Sequence, residues 1–194
     1  PATMPPHITA NTAMDVLAHA IEAVASTAAT SFTDPYAIEA IRLVLENLPQ
    51  AYHQGSDATA RFNMHNASAL AGMAFTNASL GLVHSLAHKI GGEFGVTHGL
   101  ANAILLPYII RFNRQFSDKY ARVEKLLGID DLAKAVERLN AQLNIPCCFS
   151  QCDEVNFDEA HFHDVLERMS RNAHADPCTW TNPGQPTVAD VRDL

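Results

Sequence analysis

Apolar residues recur every three to four positions along nearly the whole chain, and clean alternation is almost absent, a pattern that predicts an all-α fold. The first stripe, Met14, Leu17, Ala18, Ile21 and Val24, predicts a helix capped at Thr9 or Asn11 and fading in the Ala/Ser/Thr run 25–31. Asp34-Pro35 is a second start signal, because a proline at the first helical position lacks only an N–H that has no partner there. Ile38, Ile41, Leu45 and Leu48 then face inward until Pro49, which is expected to kink or stop the helix. A third helix is expected over residues 57–77, where Ala67, Ala71, Ala74 and Ala78 let neighbours approach closely. Further helices are expected over residues 82–90, closed by Gly91-Gly92, and over 99–116, 117–127, 130–143 and 158–172, with a last one capped by Thr187.

Composition narrows the function classes. The chain has 194 residues, with 21 acidic against 13 basic side chains and a formal charge of −8, which argues against a nucleic-acid partner. At 47% hydrophobic and 18% charged it can bury a core, and residues 1–194 are expected to form one helical domain of a larger protein. No apolar run approaches bilayer length; even 101–110 contains Pro107 and closes on Arg111, so no membrane association is expected. Four cysteines do not make a disulfide framework, and Pro1-Ala2-Thr3-Met4-Pro5-Pro6 has no signal-peptide character, so a cytoplasmic location is expected. That proline-flanked start runs straight into a helical pattern, as if something upstream were missing.

Candidate chemistry rests on histidine and aspartate spacing. Asp15 and His19 are four apart and share a helix face, which Glu22 extends; taken alone, such a pair reads as a solvated surface pair. His84 and His88 repeat the spacing on a stripe that also carries Gly81 and Gly91, leaving room for a ligand or metal, and His98 follows a glycine-rich turn. Asp15, His19 and two of the three histidines 84, 88 and 98 make a site of one oxygen and three nitrogens, suited to Fe(II) or Zn(II) with a position open for substrate. Ser85 stands where a zincin peptidase needs its glutamate. Gly91-Gly92-Glu93-Phe94 spells a diguanylate cyclase signature, but that motif requires a β-hairpin, and here it follows a helix. Cys147, Cys148, Cys152 and Cys178 lack a C-x-x-C and read as unpaired thiols; His7, His53, His65, His161, His163 and His174 read as surface residues.

The segments Thr12–Ala23, Gly81–His88 and His98–Pro107 resemble, in order and spacing, the iron-containing (group III) alcohol dehydrogenases. Cys178-Thr179 followed by Asn182-Pro183 is closest to the branch containing the dehydrogenase half of bifunctional aldehyde-alcohol dehydrogenases. The resemblance implies the helical metal-binding domain of the dehydroquinate synthase-like, iron alcohol dehydrogenase type, without its N-terminal nucleotide-binding α/β domain, for which no strand-flanked G-x-G-x-x-G is present. It implies Asp15, His19, His84 and His98 as metal ligands and His88 as the histidine beside nicotinamide and substrate. It further implies reversible NAD(P)-dependent hydride transfer between a primary alcohol and its aldehyde, with a homo-oligomeric parent protein. Thr97 before His98 and Val24 after Ala23 depart from the common pattern and bear on pocket shape. The competing expectation is a helical metal-binding or oligomerisation module without turnover. Glycerol dehydrogenase or dehydroquinate synthase chemistry is disfavoured by the Asp-x-x-x-His on the first helix.

Overall fold

The computed structural model describes residues 3–152, 155 and 157–194. Among them the helices are α1 (Pro6–Ala25), α2 (Asp34–His53), α3 (Ala58–Ala78), α4 (Leu82–Phe94), α5 (His98–Asn113), α6 (Lys119–Leu127), α7 (Leu132–Gln142), α8 (Glu159–His174) and α9 (Val188–Asp193). Two short 3-10 segments, Phe149–Gln151 and Pro177–Thr181, complete the elements, and no described residue is in a strand. No helix among the described residues is long and apolar enough to cross a membrane.

α1 is the hub. It packs on α2, α3 and α5, while α4 packs on α5 and α8, and α7 covers α5. Its Met14, Leu17, Ala18 and Ile21 are fully buried, as the apolar stripe requires. The alanines at 67, 71, 74 and 78 are buried along α3 and provide the expected close-approach face. A closer approach occurs where α5 starts: a Cβ on Gly99 would lie 1.9 Å from the Asn11 carbonyl oxygen. Only glycine permits that backbone contact, and it carries His98 up to the middle of α1.

Several ends differ from expectation. α1 starts at Pro6, with Pro5 at the cap and no side-chain cap; Thr9 and Asn11 lie inside the helix, Asn11 donating to Thr97 Oγ1 at 3.1 Å. Pro6 is already in helical φ, so no capping side chain is needed. α2 runs through Pro49 to His53, because the loss of one backbone bond is outweighed by burial of Leu48 and Ala51 on either side. α4 continues through Gly91-Gly92 and stops at Gly95, whose φ of 71° is the left-handed conformation that ends a helix. Glu93-Phe94 is therefore helical, not part of a hairpin. α5 stops at Asn113, short of residue 116, in a turn closed by the Phe116 N–H on the Asn113 carbonyl. Asp57, Asp131 and Asp158 cap α3, α7 and α8, and Thr187 with Asp190 forms a reciprocal capping box on α9.

Candidate metal centre

Three helices bring the chemistry together. α1 presents Asp15, His19 and Glu22 on one stripe, α4 presents His84 in its first turn and His88 one turn later, and α5 presents His98 as its first residue with Asn102 one turn on. Asp15 Oδ1 lies 3.5 Å from His84 Nε2 and 3.4 Å from His98 Nε2. Ring centroids of His19 and His84 are 4.3 Å apart, and those of His84 and His98 5.2 Å. His19 Nδ1 sits 2.8 Å from the Asp15 carbonyl oxygen, so that nitrogen carries the proton and Nε2 keeps its lone pair. A cation with bonds of about 2.0–2.2 Å in tetrahedral geometry sets its ligand atoms roughly 3.3–3.6 Å apart, the spacing found around Asp15 Oδ1.

A frame behind the ligands fixes their orientation. Glu22 is 4% exposed; its Oε2 lies 2.6 Å from His84 Nδ1 and its Oε1 accepts the Val83 N–H at 2.6 Å. The His84 ring is thereby held with Nδ1 donating and Nε2 turned to the centre. Asn182 Oδ1 accepts from the Leu82 N–H and from Asn113 Nδ2, so the Leu82 and Val83 N–H groups, two open donors at the start of α4, are met by the buried side chains of Asn182 and Glu22. A Cβ on Gly81 would sit 2.8 Å from Glu22 Oε1 and 3.0 Å from Asn182 Oδ1. The space at Gly81 is therefore taken by this frame, a correction to the expectation that it is left for a ligand. Asn102 Nδ2 lies 2.7 Å from Asp15 Oδ1, 3.3 Å from His84 Nε2 and 3.2 Å from His98 Nε2. Its own Oδ1 is buried without a partner among the described residues.

The charges match a cation site. Burial opposes ionisation of Asp15, but His84, His19 and His98 outweigh it and hold the carboxyl below the usual range. Burial, together with the neighbouring His84, lowers His19, and burial leads the lowering of His98, so both imidazoles keep free lone pairs at neutral pH. Burial also acts against charge on His84, yet Asp15 and Glu22 raise its pKa to about 9. Without a cation His84 therefore carries a second proton at neutral pH, shared toward Asp15, and a bound cation would displace it from Nε2. Once that proton is lost, Asp15 Oδ1, His84 Nε2 and His98 Nε2 are three converging acceptors around a single amide donor, the composition of a cation-binding cage, and carboxylate plus imidazole without thiolate suits Fe(II) or Zn(II).

Residues 9–194 match the Fe-containing alcohol dehydrogenase family, C-terminal. The chain belongs to that family. It is 43% identical over 202 residues to the NADPH-dependent butanol dehydrogenase of Clostridium saccharobutylicum, covering 99% of this chain and 51% of that protein. It is 37% identical over 216 residues to the aldehyde-alcohol dehydrogenase of Streptococcus pneumoniae, covering 99% of this chain and 24% of that one. Its fold superimposes on the iron-containing alcohol dehydrogenase from Thermococcus thioreducens with a TM-score of 0.90 at 36% identity, covering 100% of this chain and 50% of that chain. The chain thus spans about half the length of the butanol dehydrogenase and a quarter of the aldehyde-alcohol dehydrogenase.

Within this family domain, His88 stands apart from the Asp15 cluster. It is 42% exposed by its side chain and stacks on His98, with centroids 5.4 Å apart and ring planes 12° from parallel. Its Nδ1 is 3.4 Å from Asp176 Oδ2, and Asp176 also accepts from Lys89 Nζ at 2.7 Å and from the Cys178 N–H at 3.0 Å. Burial would raise the Asp176 pKa, but Lys89 and the Cys178 amide overrule it and depress it to about 2. Burial, reinforced by Asp176, pushes the Cys178 thiol up to about 12. Cys178 is unpaired, as expected, but lies in the cleft with His88 and Asp176, where the cysteine spacing gave no reason to place it. Sequence reading also left Glu22 as a stripe extension and gave Asn102 no role. Their signals were the seven-residue step from Asp15 and the four-residue step from His98. For Asp176 no local pattern points to the site. His7, His53, His65, His161, His163 and His174 are all exposed.

Proposed function

We propose that Asp15, His19, His84 and His98 hold a divalent cation, Fe(II) or Zn(II). We further propose that residues 1–194 act as one helical domain with a nucleotide-binding half to interconvert a primary alcohol and its aldehyde using NAD(P). The carrying observation is the convergence of Asp15 Oδ1 with His84 Nε2 and His98 Nε2 at 3.4–3.5 Å, with His19 and a buried orienting carboxylate beside them. A bound divalent cation supplies Lewis acidity at an alcohol or aldehyde oxygen, and the nicotinamide supplies or takes the hydride. The chain's own residues do the positioning. Glu22 keeps the proton of His84 on Nδ1, and Asn102 holds the Asp15 carboxylate toward the two histidines. Asp176, pinned by Lys89, retains the proton on His88 Nδ1, which leaves Nε2 free to accept a proton from an alcohol at the exposed side of the cluster. His88 is accordingly the residue we place beside substrate and nicotinamide. The same reading takes the partner as a small alcohol or aldehyde, the location as cytoplasmic and the parent protein as a homo-oligomer.

Two measurements test this. Elemental analysis of anaerobically purified protein should find about one iron or zinc per chain, lost in Asp15→Ala. In the longer protein that carries this segment, NAD(P)H-linked reduction of butanal should fall at least a hundredfold in His84→Ala. Metal content and turnover unaffected by these substitutions would overturn the reading. Metal retained with no turnover on any short aldehyde would favour the non-catalytic module.

A further inference from the structure

Arg61, in the first turn of α3, is a buried cation with no carboxylate partner among the described residues. It is 8% exposed, and no described acidic group forms an ion pair with it. Its Nε donates to the Gly55 carbonyl at 2.9 Å, one terminal nitrogen to Thr9 Oγ1 at 2.8 Å, and the other to the Met4 carbonyl at 3.4 Å. A guanidinium has five N–H groups, so two are left over. The nearest acid in sequence, Asp57, is occupied elsewhere, by the Ala60 N–H and Gln50. Buried charges are ordinarily paired, and an arginine fork suits two oxygens of one anion.

Arg61 lines an open cavity of about 340 Å³ between α1 and α3. His65 and Ser68 line it as well, four and seven residues further along the same face of α3. Both are exposed, and neither side chain has a hydrogen-bond partner among the described residues, so both are free to donate into it. Across the cavity Thr9 and Thr12 spend their hydroxyl protons on the Pro5 and Ile8 carbonyls, which leaves the α3 face as the donor side. Asp15 lines the far end, six residues beyond Thr9 along α1 or about 9 Å. An anion at Arg61 is thus separated from the Asp15 carboxylate.

We propose that this cavity binds a small oxyanion, phosphate or carboxylate, held by the Arg61 guanidinium with His65 beside it. The anion arrives either free or as the acid group of a longer alcohol or aldehyde whose other end reaches Asp15. As a free-anion site it stands independently of the dehydrogenase reading, since Arg61 and its cavity need no metal; only the substrate-acid arm rests on that reading.

The test follows the Arg61 Nε–H resonance of the 194-residue chain by 1H–15N spectroscopy at constant ionic strength. Inorganic phosphate and acetate should each shift it saturably in the millimolar range, and chloride should not. His65→Ala, at an exposed position, should weaken phosphate binding severalfold and Arg61→Met at least tenfold, while Ser68→Ala, about 10 Å further along α3, should have a smaller effect than either. Asp15→Asn, which removes a ligand of the proposed metal centre and a negative charge from the far end of the cavity, should abolish metal binding while phosphate binding persists or tightens, so the two readings fail separately. 4-Hydroxybutanoate binding tighter than acetate to metal-loaded chain assigns the acid group of a substrate, and equal binding assigns a free anion; either sustains the site. No saturable shift with phosphate or acetate, or the same response to chloride, overturns it. So does phosphate binding unaltered in His65→Ala, a result that holds whether or not Arg61→Met folds.

Discussion

Replacing Glu22 by Gln keeps the shape of the side chain and removes its charge, and the consequences can be worked out atom by atom. Two donors converge on Glu22: His84 Nδ1 on Oε2 and the Val83 N–H on Oε1, both at 2.6 Å. A glutamine offers one acceptor oxygen and one donor amide, so either one of the two donors faces another donor or His84 moves its proton to Nε2, the atom turned to the metal centre. The carboxylate is 4% exposed, and water cannot fill in for the missing acceptor. A hydrogen bond to a charged group contributes about 1.5–3 kcal/mol, and an orphaned buried donor costs about 1–3 kcal/mol. Denaturant unfolding of metal-free Glu22→Gln should therefore show a loss of about 2 kcal/mol with an unchanged denaturant slope. Because the ring of His84 is no longer fixed, metal affinity measured by chelator competition should fall about 10- to 100-fold. Glu39→Gln is the control. Its partner Arg42 is on the surface, with both side chains about 40% exposed, and such pairs are worth under about 1 kcal/mol. If Glu22→Gln is no more destabilising than Glu39→Gln and binds metal as tightly as the parent chain, the orienting role assigned to Glu22 is wrong.

Other expectations follow from the same geometry. Gly99→Ala drives a Cβ to 1.9 Å from the Asn11 carbonyl oxygen, and thermal unfolding should show a loss above about 3 kcal/mol or no folded protein. Gly72→Ala, inside α3 with nothing within 4 Å of the added carbon, should instead gain about 0.5–1 kcal/mol. The Asp176 pKa is depressed from 3.8 to about 2, so its stabilisation is complete above pH 4 and is lost as the pH falls toward 2. The stability difference between the parent chain and Asp176→Asn, about 1–2 kcal/mol at pH 6 in urea unfolding, should shrink over that window; a gap independent of pH would contradict the ion pair. With its thiol pushed up to about 12, Cys178 should be alkylated by iodoacetamide at pH 8 at least tenfold more slowly than exposed Cys147, as read by mass spectrometry.

What local pattern determined was considerable. The 3.6-residue stripes of Met14 to Val24 and Ile38 to Leu48, and the small-residue face from Ala67 to Ala78, specify helices and their buried sides without reference to any partner, because period alone selects which side chains share a face. Asp57, Asp158 and Thr187 stand at the expected helix starts for an equally local reason, since their side chains close the first open N–H groups, while the cap of α7 is Asp131, one residue beyond the expected start at 130. The four-residue steps in Asp15/His19 and His84/His88 put candidate ligands on common faces. Spacing could not choose among His84, His88 and His98, and the family resemblance was needed to prefer 84 and 98. The tertiary structure decided the rest. Helix ends at Pro49 and Gly91-Gly92 depend on whether packing outweighs a local break, and in both places the helix continues. Whether Asp15 meets His98 is settled by the approach that Gly99 permits between α1 and α5, a contact between residues 88 apart in the chain. Glu22 and Asp176 acquire their roles only from such long-range neighbours, since a carboxylate's charge state and purpose are set by the groups folded against it and leave no trace in its own segment.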